Sequence, residues 1–480
     1  MDLSDVFTTL GASPIDGDGT SVVHDLVIDA RRVHRGSVFF CVRGSGVDGH
    51  DWAAEAVANG ALALVVERPL ALPITQILVE DARAALASSS NAFWGRPTET
   101  LPVVGVTGTS GKTTTAYLLH SILEAAGRRP GLYGTIATQI GSERTPSRDW
   151  SPLAFHLQSA FRSMLDAGNQ SCVIEATSYD SDLRRLDSIR FAALVFTNLG
   201  HDHLDYHETF EGYFAAKRRL FLHGEPPAAV NLDDEYGRRL VSELRELGRD
   251  RLLTFGLSDE ADIRPEELEL SARGARLRVG ELELRTHLLG AFNVENVLAA
   301  VAGARLLDVA DDAIAAGVAA LEGVPGRMEP VDEGQPFSIF VDYAHKPEAL
   351  EAVLRTARTL TQGRVLCVVG CGGDCYRGKR PLMGRIASSL SDLVILTTDD
   401  PRDEDPRAIV EEIAAGGQPD EIQLDRRRAI ERAVEQARPG DVVVVAGRGH
   451  EREQTFAGGR TEHFDDREVV REALRNSRWN

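Results

Sequence analysis

The chain has 480 residues, 43% of them hydrophobic, and a formal net charge of −20. That length suits about three domains of roughly 150 residues each. The acidic balance argues against a nucleic-acid-binding protein, because a phosphate backbone rewards clustered Lys and Arg.

The start, MDLSDVF, has neither a basic leader nor an apolar core, so no signal peptide is expected. No apolar run approaches the roughly 18 residues of a membrane helix. Five cysteines, an odd number with no CxxC pair, suit a reducing compartment. Cys371 and Cys375 in CGGDC lack a second pair that would complete a zinc site, and read as incidental loop thiols. A cytoplasmic protein is expected, without a nucleic-acid or membrane partner.

In chain order, residues 1–99 alternate short apolar strands (SVFFCV, ALALVV, ITQILV) with one helix, DWAAEAVANG. FWGRPTETLP, with two prolines and a glycine, reads as a linker. VVGVT, SCVIEAT and AALVFTN follow as strand-length apolar runs separated by helical patterns, which implies a parallel sheet with helices on both faces. GAFNVENVLAAVAGARLL has helical periodicity, with Asn293 placed to cap it. After a break near GVPGRMEPVDEGQP come four more strands: SIFVDYA, RVLCVVG, DLVILTT and DVVVVAG. The economical reading is three α/β domains, at residues 1–99, 100–329 and 330–480.

VVGVTGTSGKTTT, Val103 to Thr115, describes a phosphate cradle on a strand–loop–helix unit. The usual GxxxxGK[ST] spacing fails, because Val106 stands where the first glycine belongs. The physics survives the miss. Gly108 and Gly111 let backbone N–H groups approach an anion, and the next helix offers its positive N-terminus. Thr109 and Ser110 complete the turn. Lys112 can reach terminal phosphates, and the Thr113 or Thr114 hydroxyl can bind Mg²⁺.

In the same stretch EATSY puts Glu175 at a strand end, and TNLGHDHLDYH puts Asp202, His203, Asp205 and His207 beyond the next strand. Ligands in open α/β sheets gather past the carboxyl ends of strands, and a carboxylate beside a triphosphate suits Mg²⁺. Lys217, in YFAAKRRLF, shares a helix face with Tyr213; sequence alone makes it an ordinary, solvated helix lysine.

Taken together, TGTSGKTT, TNLGHDHLDYH, YFAAK, GAFNVENVLAA, GRME and VDYAHKPEAL resemble the Mur ligases, ATP-dependent enzymes that extend the peptide of bacterial cell-wall precursors. GCGGD…RGKRPLMG, TTDDPR, GRGHE and HFDDRE resemble the MurE-type branch, which adds the third residue to UDP-N-acetylmuramoyl-L-alanyl-D-glutamate. The resemblance implies an N-terminal domain that binds a nucleotide sugar, a central phosphate-loop ATPase domain and a C-terminal Rossmann-like domain that binds the acceptor. It implies ATP and two Mg²⁺ ions as cofactors, small-molecule substrates, and a monomer. Lys112 would grip the ATP phosphates, with Thr113 and Glu175 on one Mg²⁺ and His203 on the second. Lys217 would be carbamylated, since a free ammonium, with a pKa near ~10.4, would repel metals. Asn293, Arg327 and Asp342 would contact nucleotide.

Substrate-reading positions depart from the family pattern more than the ATP site does. The family's DSR stands here as Asp29-Ala30-Arg31, TTP as Arg144-Thr145-Pro146 (followed by an unfamiliar SRDWSP), and SSH as Thr177-Ser178-Tyr179, with Arg185 keeping its spacing. GDRD is Gly373-Asp374-Cys375-Tyr376, so the arginine that would pair with the acceptor carboxylate is missing, with Arg377 the nearest substitute. TTDDPR supplies Asp399, Asp400 and Arg402; the arginine marks a diaminopimelate acceptor, although the common form has Asn where Asp400 stands. Gly447 and Glu451 match positions that hold the acceptor's far end. The leading expectation is a ligase that adds diaminopimelate or lysine. The alternatives are a paralogue joining another carboxylate and amine in specialised metabolism, or an ATP-binding switch that ligates nothing.

Overall fold

A computed structural model of the chain describes residues 1–11, 20–44, 46–147 and 153–477. In chain order the N-terminal elements are α1 (Leu3–Leu10), β1 (Asp25–Val27), β2 (Ser37–Phe40), α2 (Ala53–Ala58), β3 (Ala63–Val66), β4 (Gln76–Leu78) and α3 (Ala82–Phe93). Next come β5 (Val103–Thr107), α4 (Lys112–Ala125), β6 (Pro130–Tyr133), β7 (Ala137–Ile140), β8 (Glu143–Pro146), α5 (Ala154–Asp166), β9 (Ser171–Glu175), α6 (Ser178–Asp182) and β10 (Phe191–Phe196). They are followed by α7 (Leu204–His207), α8 (Phe210–Leu222), β11 (Ala228–Asn231), α9 (Glu235–Glu246), β12 (Leu252–Phe255), the meander β13 to β15 (Glu267–Ser271, Gly274–Val279, Leu282–Thr286), α10 (Ala291–Leu306) and α11 (Asp311–Ala320). The C-terminal part holds β16 (Glu329–Pro330), β17 (Ser338–Asp342), α12 (Pro347–Thr359), β18 (Val365–Val369), α13 (Lys379–Leu390), β19 (Leu393–Leu396), α14 (Pro406–Ala414), β20 (Glu421–Ile422), α15 (Arg426–Gln436), β21 (Val442–Ala446), the hairpin β22–β23 (Glu453–Phe456, Arg460–His463) and α16 (Asp466–Asn476).

The chain is mixed α/β and gathers into two compact units. One comprises Met1–Thr107, Arg128–Leu194 and Ala215–Pro227; the other comprises Gly108–Gly127, Val195–Phe214 and Ala228–Asn480.

In the first unit β1-β2-β3-β4 form an all-parallel sheet. Successive side chains point to opposite faces of a strand. Val38 and Phe40 therefore join Leu3, Val6 and Leu86 on one side, while Phe39 packs with Ala53, Ala56 and Leu64 on the other. Both faces are covered, which is why these strands read as unbroken apolar runs. Sequence periodicity gives this region one helix; the structure adds α1 and α3. The core of α3 is serine-rich and a poor helix former by propensity, but Asp81 caps it by accepting from Arg83 N and Ala84 N. The expected linker contains a 3₁₀ turn, Pro97–Glu99. Further along, β6 and β5 flank β9 in parallel, and β7 and β8 continue from β6 antiparallel.

In the second unit the six-stranded sheet runs β16-β17-β21-β18-β19-β20, parallel except for β16. Val442 and Val444 face Leu350, Leu354 and Met383; Val443 and Val445 face Ile430, Val434 and Val470. The expected cap on α10 is corrected: Gly290 precedes the helix, and Asn293 lies inside the first turn, donating to the Leu289 carbonyl at 2.8 Å. A cap must accept from exposed backbone N–H groups; the Asn293 oxygen accepts from the Asn296 side chain instead. No helix among the described residues is long and apolar enough to cross a membrane, and all five cysteines are free.

Candidate active site

The phosphate loop, at the start of the second unit, is held by the segment that follows β10. Thr109 N donates to Asn198 O at 2.9 Å, Ser110 N to Asn198 Oδ1 at 2.8 Å, and the Thr197 hydroxyl to Ser110 O at 2.6 Å. The glycines are required by this closeness. A Cβ on Gly108, at φ +145°, would lie 1.9 Å from Thr197 Oγ1, and one on Gly111, at φ +87°, 2.2 Å from Asn296 Oδ1. Lys112 opens α4 and folds back over the loop, its Nζ 3.0 Å from Gly108 O and 3.1 Å from Thr109 O. Thr113 and Thr114 are buried in the first turn of α4.

Around the loop stand the residues expected at the nucleotide. Arg327 donates to Thr113 Oγ1 at 3.3 Å and lies over the Tyr343 ring at 4.5 Å. Asp342, at the end of β17, accepts from Met328 N and Ala344 N at 2.6 and 2.7 Å. Burial pushes its carboxyl up to about 6, with Arg327 opposing. Asn293 accepts from Asn296 at 3.0 Å.

His203 precedes α7 at φ +55°, a left-handed conformation that non-glycine residues avoid. Its Nε2 lies 3.0 Å from Asp202 Oδ2. Asp205 is exposed and His207 stacks on Tyr213 at 5.0 Å, so those two do not join His203 as a cluster.

The acceptor-type segments meet elsewhere in the second unit. Asp399, Asp400 and Glu451 bring their carboxylates within 4.8 Å of one another, and among the described residues this is the one group of His, Cys, Asp or Glu with metal-like spacing. The fully buried Arg448 guanidinium already lies against all three. Burial, then Asp399 and Asp400, pushes Glu451 up to about 8, and Tyr343 donates to it at 3.2 Å. Gly447 N donates to Asp342 O at 3.0 Å, which ties this segment to the end of β17. Arg402 donates to Gly373 O at 3.2 Å. The Cys375 thiol donates to Gly372 O at 3.1 Å, whereas Arg377 pairs with Glu404 at 2.5 Å and is 63% exposed. Arg380, fully buried, shares Glu404 and reaches Glu412.

The remaining candidates belong to the first unit. Glu175 ends β9 and accepts from Thr135 N at 2.8 Å and Thr135 Oγ1 at 3.0 Å. Lys217 is 1% exposed on α8, which overturns the solvated reading. Arg219, on the same helix, donates to Ser181 O at 2.9 Å and pairs with Asp187, which fixes α8 against α6. Thr177 caps α6 by accepting from Asp180 N, and Arg185 pairs with Asp180 at 3.2 Å. Thr145 is exposed on β8. Of SRDWSP, residues 148–152 lie outside the described residues.

Three family models match the chain: the Mur ligase family catalytic domain at residues 22–94, the Mur ligase middle domain at 106–304, and the Mur ligase glutamate ligase domain at 326–449. The UDP-N-acetylmuramoyl-L-alanyl-D-glutamate–2,6-diaminopimelate ligase of Geobacillus kaustophilus is 42% identical over 469 residues, 94% of each chain. The chain belongs to the Mur ligase family. The ligase of the same name from Solibacter usitatus is 43% identical over 467 residues, again 94% of each chain. A solved structure of a ligase so named aligns over 99% of both chains at 31% identity, with a TM-score of 0.71. MurF of Thermotoga maritima in complex with ADP, 21% identical with a TM-score of 0.62 and covering 95% of this chain and 97% of its own, shares the fold. As a Mur ligase the chain is an ATP-dependent, carbon–nitrogen bond-forming enzyme that binds nucleotide and acts on small molecules. The reading as a switch that ligates nothing falls with that membership.

Sequence reasoning missed Asn198, Arg448 and Lys346, all of which touch the residues it selected. Arg448 lies within GRGHE itself, but nothing in a sequence says that an arginine will be fully buried.

Proposed function

We propose that the chain joins the amino group of diaminopimelate to the free carboxylate of UDP-N-acetylmuramoyl-L-alanyl-D-glutamate, as its relatives' names describe for them. The observation that carries this reading is the relatives' similarity over 94% of both chains, which spans Arg402 and the Asp399–Asp400–Glu451 group. Three domains divided near residues 99 and 329, a monomer and a cytoplasmic location go with it.

The γ-phosphoryl group passes from ATP to a carboxylate oxygen, giving an acyl phosphate and ADP. The amine then attacks the acyl carbon and loses a proton, and the carbon–oxygen bond breaks to release phosphate. Lys112 and the loop N–H groups stabilise charge on the phosphates. Asn293, Arg327 and Asp342 hold the nucleotide, and Thr145, Thr177 and Arg185 hold the donor. Asp399, Asp400 and Glu451 receive the acceptor's distal ammonium, and Arg402 its distal carboxylate.

Oxygen donors suit Mg²⁺, and the Thr113 hydroxyl and the Glu175 carboxylate are each of that donor type and would each serve as a ligand. His203 offers an imidazole nitrogen, and Lys217 would serve as a ligand only as a carbamate, because a buried ammonium repels a cation. Bound Mg²⁺ would supply Lewis-acid stabilisation of phosphoryl charge.

Cys375 favours the paralogue as a second reading, because a thiol cannot pair with a carboxylate and one charge-assisted hydrogen bond is worth about 1.5–3 kcal/mol. Arg377 would have to leave Glu404 to replace it. Cys375→Arg is expected to lower the Michaelis constant for diaminopimelate about tenfold; an unchanged constant would place residue 375 outside the carboxylate's reach. Diaminopimelate is expected to yield product in preference to lysine. Failure of both, with product from another amine, would select the paralogue.

A further inference from the structure

The first turn of α12 touches the segment that clasps the phosphate loop, through residues to which the proposed mechanism gives no role. Lys346 precedes Pro347, the first residue of the helix. Its Nζ lies 2.7 Å from Asp202 Oδ2 and 2.9 Å from Thr109 O, and the side chain is 9% exposed. Two residues on, Glu348 lies 2.5 Å from His201 Nδ1. One helical turn thus presents opposite charges to neighbouring residues of a single loop, and Pro347, with its fixed φ, sets their spacing.

Thr109 O is the point of convergence. It accepts from Lys112 Nζ at 3.1 Å and from Lys346 Nζ at 2.9 Å. Two ammonium groups within hydrogen-bonding distance of one carbonyl repel each other, and the Asp202 carboxylate offsets that repulsion. Asp202 in turn contacts His203.

We propose that Lys346 is a positioning residue for the phosphate loop: it holds Thr109 and Asp202 in register and adds a second positive charge behind Lys112. The inference deepens the ligase reading and rests on it. Removal of Lys346 would leave Asp202 buried without its ammonium partner and free Lys112 to swing toward the remaining carbonyls. The effect would then fall on nucleotide-dependent quantities and spare the donor and acceptor.

The test uses full-length Lys346→Met, Lys346→Arg, Asp202→Asn and the Met/Asn double variant. Lys346→Met should lower kcat by about thirtyfold and shrink the rise in melting temperature that ADP with Mg²⁺ produces, while the Michaelis constants for donor and acceptor change by less than about threefold. Lys346→Arg, which keeps the charge, should recover about a third or more of the activity. The double variant should match the worse single one, because both break one interaction. Additive losses, equal changes in all three Michaelis constants, or a full ADP-induced shift with near-normal kcat would each overturn the assignment. The ADP shift needs neither donor nor acceptor, so it tests Lys346 even if the wild-type protein rejects the UDP-dipeptide and the substrate reading fails.

Discussion

Lys217→Ala is expected to reduce turnover about a thousandfold or more and to regain part of it with a small carboxylate such as acetate. The side chain is 1% exposed on α8, and a buried ammonium is costly unless something in its surroundings requires it. Conversion to a carbamate removes the positive charge and supplies two oxygens, the donor type Mg²⁺ prefers. Alanine also leaves a cavity, so Lys217→Met serves as the control that keeps volume and packing. The account predicts that Met is as inactive as Ala, and that exogenous carboxylate rescues Ala alone, where there is room for it. Turnover within about tenfold of wild type in either variant would remove Lys217 from the reaction.

Asp466→Asn is expected to destabilise the C-terminal part by about 3–5 kcal/mol, the cost of leaving a buried charge without its partner. Arg426 and Asp466 are both fully buried and meet through two parallel bonds of 2.8 and 2.7 Å. The guanidinium also donates to Ala446 O at 3.0 Å and to Thr398 O at 3.4 Å. Those carbonyls immediately precede Gly447 and Asp399, so the pair anchors both acceptor segments. Urea unfolding should show a lower midpoint with little change in slope. The double variant Arg426→Met/Asp466→Leu should regain much of the loss, because apolar replacement of a buried pair is tolerated where half a pair is not. A loss below about 1 kcal/mol for Asp466→Asn would show that water reaches the guanidinium and that the pair anchors little.

The sequence and the structure agree most closely where local pattern suffices. The apolar runs SVFFCV, VVGVT, SCVIEAT and DVVVVAG each became a buried strand, because strands covered on both faces need no alternation. TGTSGKTT announced its loop despite the missing first glycine, since Gly108 and Gly111 answer to close neighbours rather than to spacing. Long-range packing was not legible. Lys217 reads as solvated by residue type, although helical spacing sets it among Tyr213, Phe214, Leu220 and Phe221, the stripe that the fold buries. Asn293 looked like a cap by residue type, but the helix starts earlier, at Ala291. Lys346 lay in plain view in DYAHKPEAL; its bonds reach Asp202 and Thr109, 144 and 237 residues away in sequence, and only the fold brings these together.

The most direct test of the account follows phosphate release and product mass together, with ATP, Mg²⁺ and diaminopimelate, in the presence and absence of UDP-N-acetylmuramoyl-L-alanyl-D-glutamate. The account predicts one phosphate per UDP-tripeptide formed, and phosphate release that depends on both the donor and the amine. Phosphate release that ignores the donor, or proceeds with it but yields no UDP-tripeptide, would contradict the proposed function.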